Sequence, residues 1–224
     1  MEPPPSARSW PTPWTRPRGL LLDAMGTLIT LRESVGTTYA AVAAEHGVRA
    51  DPAAIDALFP AIYRAAPPLA FPLSDPRALL EAEIRWWGDR IREVFQGLEG
   101  APQPPPALVE ALFARFAEPE LWRVYPDVPD RLAAWRQQGL RLAVVSNFDR
   151  RLHPLLRDLG LLPFLDRVIV SSEVGAAKPS ALPFQQALEA LDLQPHQVWH
   201  VGDQPEDVEG ASRAGVRCLR LRRS

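Results

Sequence analysis

From Leu140 onward, short apolar runs alternate with stretches of helical spacing. "LRLAVV", "DRVIV", "QVWHVG" and "VRCLRL" are apolar runs of strand length. Between them, "DRRLHPLLRDLG", "SALPFQQALEAL" and "PEDVEGASRAG" carry apolar positions three and four apart, and Gly160 and Gly215 stop two of these helices. Strand and helix in strict alternation predict a parallel sheet covered by helices on both faces. "GLLLD" supplies a further buried strand, and "VPDRLAAWRQQG" is the helix leading into "LRLAVV".

Between Leu31 and Tyr125 the pattern changes, and no stretch there reads as a strand. "SVGTTYAAVAAEHG", "DPAAIDALFPAIYRAA", "DPRALLEAEIRWWGDRIREVFQG" and "PPALVEALFARFAE" have helical spacing and are separated by proline clusters. In the third, Ile84, Trp87, Ile91 and Val94 share one face; Trp86 and Trp87 both read as core of the insertion rather than as a substrate clamp, and of the two Trp86, which points elsewhere, is the better clamp candidate. The expected fold class is α/β, a Rossmann-like doubly wound parallel sheet with an inserted all-helical domain. The divisions are a proline-rich tail over 1–18, a core domain of 19–31 and 126–224, and a helical insertion over 32–125. The tail "MEPPPSARSWPTPWTRPR" reads as an extended segment lying against the body through Trp10 and Trp14, or as a ligand for a proline-recognising domain. An insertion beside the tip of the first strand is placed to cover whatever binds there, since ligands of open α/β sheets sit outside the carboxyl ends of the strands.

Composition narrows the partners. The 224 residues carry a net charge of -2, which offers no basic footprint for nucleic acid. No apolar run approaches the roughly 18 residues of a membrane span, and the start lacks the apolar centre of a secretory signal. Cys218 stands alone, so an internal disulfide is excluded and a reducing, cytoplasmic setting is expected. Of the 25 cationic side chains all but Lys178 are arginine. Codon bias explains such a count, and so does a position that needs an ammonium rather than a guanidinium.

Polar residues gather at the ends of the predicted strands. Asp23 ends the first, Ser146 and Asn147 end "LAVVSN", Lys178 lies in "GAAKPS", and Asp203 and Asp207 come from "VGDQPED". Each has an ordinary reading: Asp203 and Asp207 as helix caps, Ser146 as a turn former. His200 reads as a packed strand-end histidine, and His46 and His153 as helix-surface residues.

The order Asp-x-x-Gly-Thr-Leu, Ser-Asn after a strand, a lysine before a proline, then "HVGDQPED" and "EGASRAG", resembles the haloacid dehalogenase superfamily of hydrolases. The similarity runs from Gly19 to Leu221, and "LRLAVVSNFDRRL" and "FAEPELWRVYPDV" most resemble one subgroup of it. The resemblance implies that the helical insertion is that family's cap and that Asp23 is a nucleophile. It also implies a Mg²⁺ ion held by Asp23, the Met25 carbonyl, Asp203 and Asp207. Gly26 and Thr27 form the turn near the phosphate, while Ser146, Asn147 and Lys178 bind the phosphoryl oxygens. The implied substrate is a small phosphorylated molecule.

The chemistry of these residue types agrees with that assignment. A carboxylate can attack phosphorus and split one difficult hydrolysis into two easier steps. Oxygen ligands suit Mg²⁺, and a hydroxyl, an amide N–H and an ammonium suit the charge on a transferring phosphoryl group. Asp207, one helical turn from Asp203, faces the same way and can hold either a metal-bound water or the lysine.

One position departs from the phosphatase pattern. The second residue after the nucleophile is usually aspartate in these phosphatases, and here it is Met25, which keeps the backbone carbonyl and loses a proton donor. General acid catalysis is worth about 10²- to 10⁴-fold, so aryl and acyl leaving groups suffer less from the loss than alkoxides. Three readings follow. One is a Mg²⁺-dependent phosphatase, with a proton from the insertion (Glu33 or Glu45) or from substrate. Another is a phosphate-binding or interaction protein without turnover. The last is a metal-independent 2-haloacid dehalogenase, whose halide leaves unprotonated but for which a metal-type pair in "GDQPED" has no use.

Overall fold

The computed structural model describes residues 16–223; Trp10 and Trp14, expected to pin the tail, lie outside the described residues. The chain enters β1 (Gly19–Leu22) and then β2 (Ile29–Leu31). Four helices follow: α1 (Val35–Glu45), α2 (Pro52–Ala65), α3 (Pro76–Gly97) and α4 (Pro106–Arg115). After β3 (Trp122–Val124) come α5 (Val128–Gln137), β4 (Arg141–Ser146), α6 (Leu152–Asp158), β5 (Arg167–Val170) and the single turn α7 (Ser171–Val174). The chain closes with α8 (Leu182–Leu191), β6 (Val198–Gly202), α9 (Pro205–Arg213) and β7 (Arg217–Arg220).

Five strands form one sheet in the order β5-β4-β1-β6-β7, and every neighbouring pair is parallel. All four residues of β1 are buried, as its central place requires. Successive side chains of a strand point to opposite faces. Leu20 and Leu22 accordingly join Leu142 and Val144 in one apolar cluster, and Leu21 joins Ala143, Val145 and Phe184 in the other. Helices cover both faces because both faces are apolar, as the alternating pattern predicts.

The four helices between β2 and β3 bury a third cluster of their own, centred on Tyr39, Ile91, Val94, Phe95, Leu108 and Leu112. Their starts are set locally. The Ser34 hydroxyl accepts from the Thr37 N–H at 3.0 Å, and the Asp75 carboxylate from the Ala78 N–H at 2.7 Å. These bonds satisfy amides that an uncapped helix would leave open.

The expectation of no strand between Leu31 and Tyr125 fails at β3. Trp122–Val124 pairs antiparallel with Ile29–Leu31, in the register Ile29 to Val124 and Leu31 to Trp122. Three residues are too few for an alternating pattern to stand out, and the pairing joins segments some 90 positions apart. The ribbon brings the two ends of the helical stretch together just beyond the tip of β1.

Candidate active site

The carboxyl ends of β1, β4 and β6 converge. Asp23 follows β1 directly, its N–H donating to the Val201 carbonyl at 2.9 Å, and it is buried. The chain turns back at Gly26, whose φ of 82° favours glycine. A Cβ at Gly26 would lie 2.6 Å from Asp203 Oδ2, so the turn brings the backbone against the carboxylate arriving from β6. Met25 keeps its side chain 44% exposed at the mouth of this turn.

Lys178 provides the centre of the arrangement. Its Nζ donates to Asp23 Oδ1 at 2.6 Å, to Asp207 Oδ1 at 2.6 Å and to the Val145 carbonyl at 3.1 Å. Ser146 Oγ also donates to Asp23 Oδ1, at 3.3 Å. The Asn147 side chain holds the Lys178 backbone from both sides. Its Oδ1 accepts from the Lys178 N–H at 2.7 Å and its Nδ2 donates to the Lys178 carbonyl at 3.0 Å. The loops after β4 and β5 are thus tied together at the residue that carries the ammonium.

Asp207 sits in the first turn of α9, where its Oδ2 accepts from the Gln204 N–H at 3.0 Å as part of a capping box. It packs so closely on the end of β6 that a Cβ at Gly202 would come 2.3 Å from its Cγ. His200, treated above as a packed strand-end residue, is fully buried and does more: its Nε2 lies 2.9 Å from Asp207 Oδ1. No single residue type flags that contact, which appears once β6 and α9 are in place.

The three carboxylates form a cluster, with one oxygen each from Asp23, Asp203 and Asp207 within 4.8 Å of one another. Asp207 is saturated by Lys178, His200 and Gln204. Asp203 Oδ1, by contrast, is buried with no hydrogen-bond partner among the described residues, as is Thr27 Oγ1. An orphaned oxygen on a carboxylate that clusters with two others fits a cation, and an all-oxygen donor set fits a hard one.

Ionisation follows from the same contacts. Burial alone drives the Asp207 carboxyl upward, but the His200 hydrogen bond and the Lys178 charge outweigh it and hold the group well below the usual carboxylate range. Burial raises the Asp23 carboxyl, an effect that Lys178 opposes and Asp207 reinforces. Burial would lower Lys178, but the two carboxylates more than restore it and the ammonium persists.

The helical stretch meets this edge through the loop after β4. Asp149 is fully buried, and its Oδ2 accepts from Trp87 Nε1 at 2.6 Å and from Arg151 Nη2 at 2.7 Å. Arg151 also donates to the Phe113 carbonyl at 2.6 Å. Glu83 of α3, 1% exposed, accepts from the Arg150 N–H and from Arg150 Nε, each at 3.2 Å. Trp86 is core, as expected, but of the two tryptophans it is not the one nearer the strand tips. Trp86 is 7% exposed and spends its N–H on the Pro67 carbonyl, while the half-buried Trp87 faces the strand tips. The cause is the width of the buried surface of α3, which includes Glu83, Trp86 and Arg90 beside the face through Ile91 and Val94. Glu45 is paired with Arg115 of α4 at 3.3 Å, and Glu33 is exposed. His153 pairs with Glu173 at 2.9 Å on the surface.

Among the described residues, no helix is long and apolar enough to cross a membrane.

A family model described as haloacid dehalogenase-like hydrolase matches residues 17–215. The chain is 37% identical over 188 residues to haloacid dehalogenase-like hydrolase domain-containing protein 3 of Homo sapiens, covering 83% of this chain and 74% of that one. It is 37% identical over 146 residues to a phosphoserine phosphatase of Thermus thermophilus, covering 62% and 57% of the two chains. In fold it is similar to L-2-haloacid dehalogenase from Xanthobacter autotrophicus, with a TM-score of 0.67 at 21% identity over 91% of this chain and 77% of that one.

Proposed function

The chain belongs to the haloacid dehalogenase-like hydrolase family, and from that premise we propose that it hydrolyses a small phosphorylated metabolite through an aspartyl phosphate on Asp23. The observation that supports this best is the setting of one buried carboxylate. Asp23 shares the Lys178 ammonium with Asp207 and lies in a cluster of three carboxylates that includes Asp203, whose Oδ1 has no partner among the described residues. Asp23, Asp203 and the Met25 carbonyl would hold Mg²⁺, with Asp207 fixing Lys178 rather than serving as a direct ligand. Bound there, the ion would neutralise the repulsion between the carboxylates and an anionic substrate.

The chain's own residues do the rest. Both bonds found to Asp23 fall on Oδ1, from Lys178 and Ser146, so the carboxylate is oriented for attack through its other oxygen. Lys178, Ser146, the Asn147 N–H and Thr27 Oγ1 would bind the phosphoryl oxygens as charge develops on them. Water then displaces the aspartate and regenerates it. The helices of 32–125 act as the cap over a core of 19–31 and 126–224, in a cytoplasmic enzyme. Met25 stands where these phosphatases usually carry the proton-donating aspartate.

Acetyl phosphate and an aryl phosphate, assayed with and without Mg²⁺, test the reading. Mg²⁺-dependent phosphate release is expected from the wild type and lost in Asp23→Asn. Equal activity in that variant removes Asp23 as nucleophile. Phosphate binding without turnover across a broad panel would point to a binding protein, and metal-free chloride release from a 2-halo acid to a dehalogenase.

A further inference from the structure

The mouth of the site is aromatic and apolar where the insertion meets it. Tyr63 of α2 is 37% exposed, and its ring is stacked on Trp87 (6.1 Å, 27°) and on Phe59 (5.9 Å, 21°). Trp87 is tied by its N–H to Asp149, three residues after Ser146. The Tyr63 phenol also feels the site: enclosure raises its pKa first, the Asp149 and Asp23 carboxylates raise it further, and Lys178 opposes them. Met25, two residues past Asp23, is 44% exposed. One apolar side chain from the core, two residues past Asp23, and one aromatic ring from the insertion, stacked on the Trp87 that bonds Asp149, are therefore left part-exposed.

A separate line of chemistry leads to the same place. Met25 has no proton to give, and Glu45 is engaged by Arg115. Glu33 is exposed and makes no side-chain contact to Asp23 among the bonds found there. The leaving oxygen then departs with its electron pair and without an acid from Met25 or Glu45. A phenolic oxygen, with a pKa near 10, does so far more readily than an alkoxide.

We propose that the leaving group released here is an aromatic alcohol, so that the substrate class is an aryl phosphate monoester whose ring packs against Met25 and Tyr63. This rests on the phosphoric monoester hydrolase reading and narrows it. In the first step an Asp23 oxygen bonds to phosphorus and the P–O(aryl) bond breaks, its electron pair going to the aryloxide, which takes a proton from water. In the second, water attacks phosphorus, the Asp23–phosphorus bond breaks, and inorganic phosphate leaves.

Steady-state kinetics with Mg²⁺ on phenyl, cyclohexyl and acetyl phosphate test this. Cyclohexyl phosphate resembles phenyl phosphate in size but leaves as an alkoxide, and acetyl phosphate has a good leaving group without a ring. The expected kcat/KM for phenyl phosphate exceeds that for cyclohexyl phosphate by at least about 100-fold. Tyr63→Ala raises KM for phenyl phosphate by about five- to tenfold, and the ratio of phenyl to acetyl phosphate kcat/KM falls by the same factor. Tyr63→Leu, which keeps volume in the cluster, gives the same fall should Tyr63→Ala not fold. Two results overturn the inference: cyclohexyl phosphate cleaved as fast as phenyl phosphate, or a phenyl-to-acetyl ratio unmoved in the Tyr63 variants. Either leaves the hydrolase reading standing as long as Asp23-dependent acetyl phosphate hydrolysis persists. Absence of Asp23-dependent turnover on all three substrates overturns both.

Discussion

Lys178 has three ammonium protons and three acceptors, the carboxylates of Asp23 and Asp207 and the Val145 carbonyl. A guanidinium spreads its donors in a planar fork and cannot bring one nitrogen to all three. Lys178→Arg is therefore expected to keep the charge and still lose about 10²- to 10³-fold in kcat toward acetyl phosphate, the usual cost of one misplaced donor to a developing oxyanion. Lys178→Met leaves two buried carboxylates without their counter-charge, which costs about 3–5 kcal/mol. In a chain of this length that lowers Tm by about 10 °C, measurable by calorimetry. Met25→Asp is expected to raise kcat for an alkyl phosphate by about 100-fold; no rise, with Mg²⁺ affinity intact, places the proton donor elsewhere. The lysine was conspicuous in the sequence because the chain otherwise uses arginine for its cations. His200 and Asp149 were not, since a buried histidine and a loop aspartate look the same whether or not a neighbour from a distant segment meets them.

At the level of elements, the end of β4 and the loop after it serve two tasks within six residues. Ser146 and Asn147 face Asp23 and Lys178, while Asp149, Arg150 and Arg151 hold the helices inserted between β2 and β3. Glu83→Gln keeps the shape of its side chain and removes the charge that Arg150 meets. Amide exchange at residues 148–151 is expected to speed up by about tenfold as one charged hydrogen-bond pair weakens; an unchanged rate would mean that Trp87 and Arg151 suffice to hold the contact. The helices themselves were legible, because Ser34, Asp51 and Asp75 mark their starts and the apolar spacing fills their lengths. The β2 and β3 ribbon was not, because three residues pairing across the whole insertion leave no local pattern. Trp86 was the wrong choice as the better clamp candidate for a related reason: periodicity ranks the faces of a helix but does not say how many of them are covered.

For the whole molecule, the alternation of strand and helix implied a sheet with two apolar faces, and the clusters around Leu22 and Leu21 occupy them. Cys218 on β7 reports on how firmly that sheet is held. Burial, with a smaller push from Asp207, lifts its thiol to about 11 from the ordinary 9.0. The thiolate is the reactive form and its fraction falls as pKa rises. At pH 8 alkylation by iodoacetamide is thus expected to run about 100-fold slower in the folded protein than in urea. Comparable rates would show that β7 opens readily from the edge of the sheet. The helical insertion carries an apolar cluster of its own and joins the rest through a two-stranded ribbon, which makes it look like a module that could be exchanged. The buried Asp149 and the Arg150 and Arg151 side chains belong to the host sheet, however, and their partners Glu83, Trp87 and Phe113 belong to the guest. A chimaera cut at the ribbon alone would part Arg150 from Glu83 and strip Asp149 and Arg151 of the Trp87 and Phe113 groups they bond, so a workable graft has to carry residues 149–151 along with the helices.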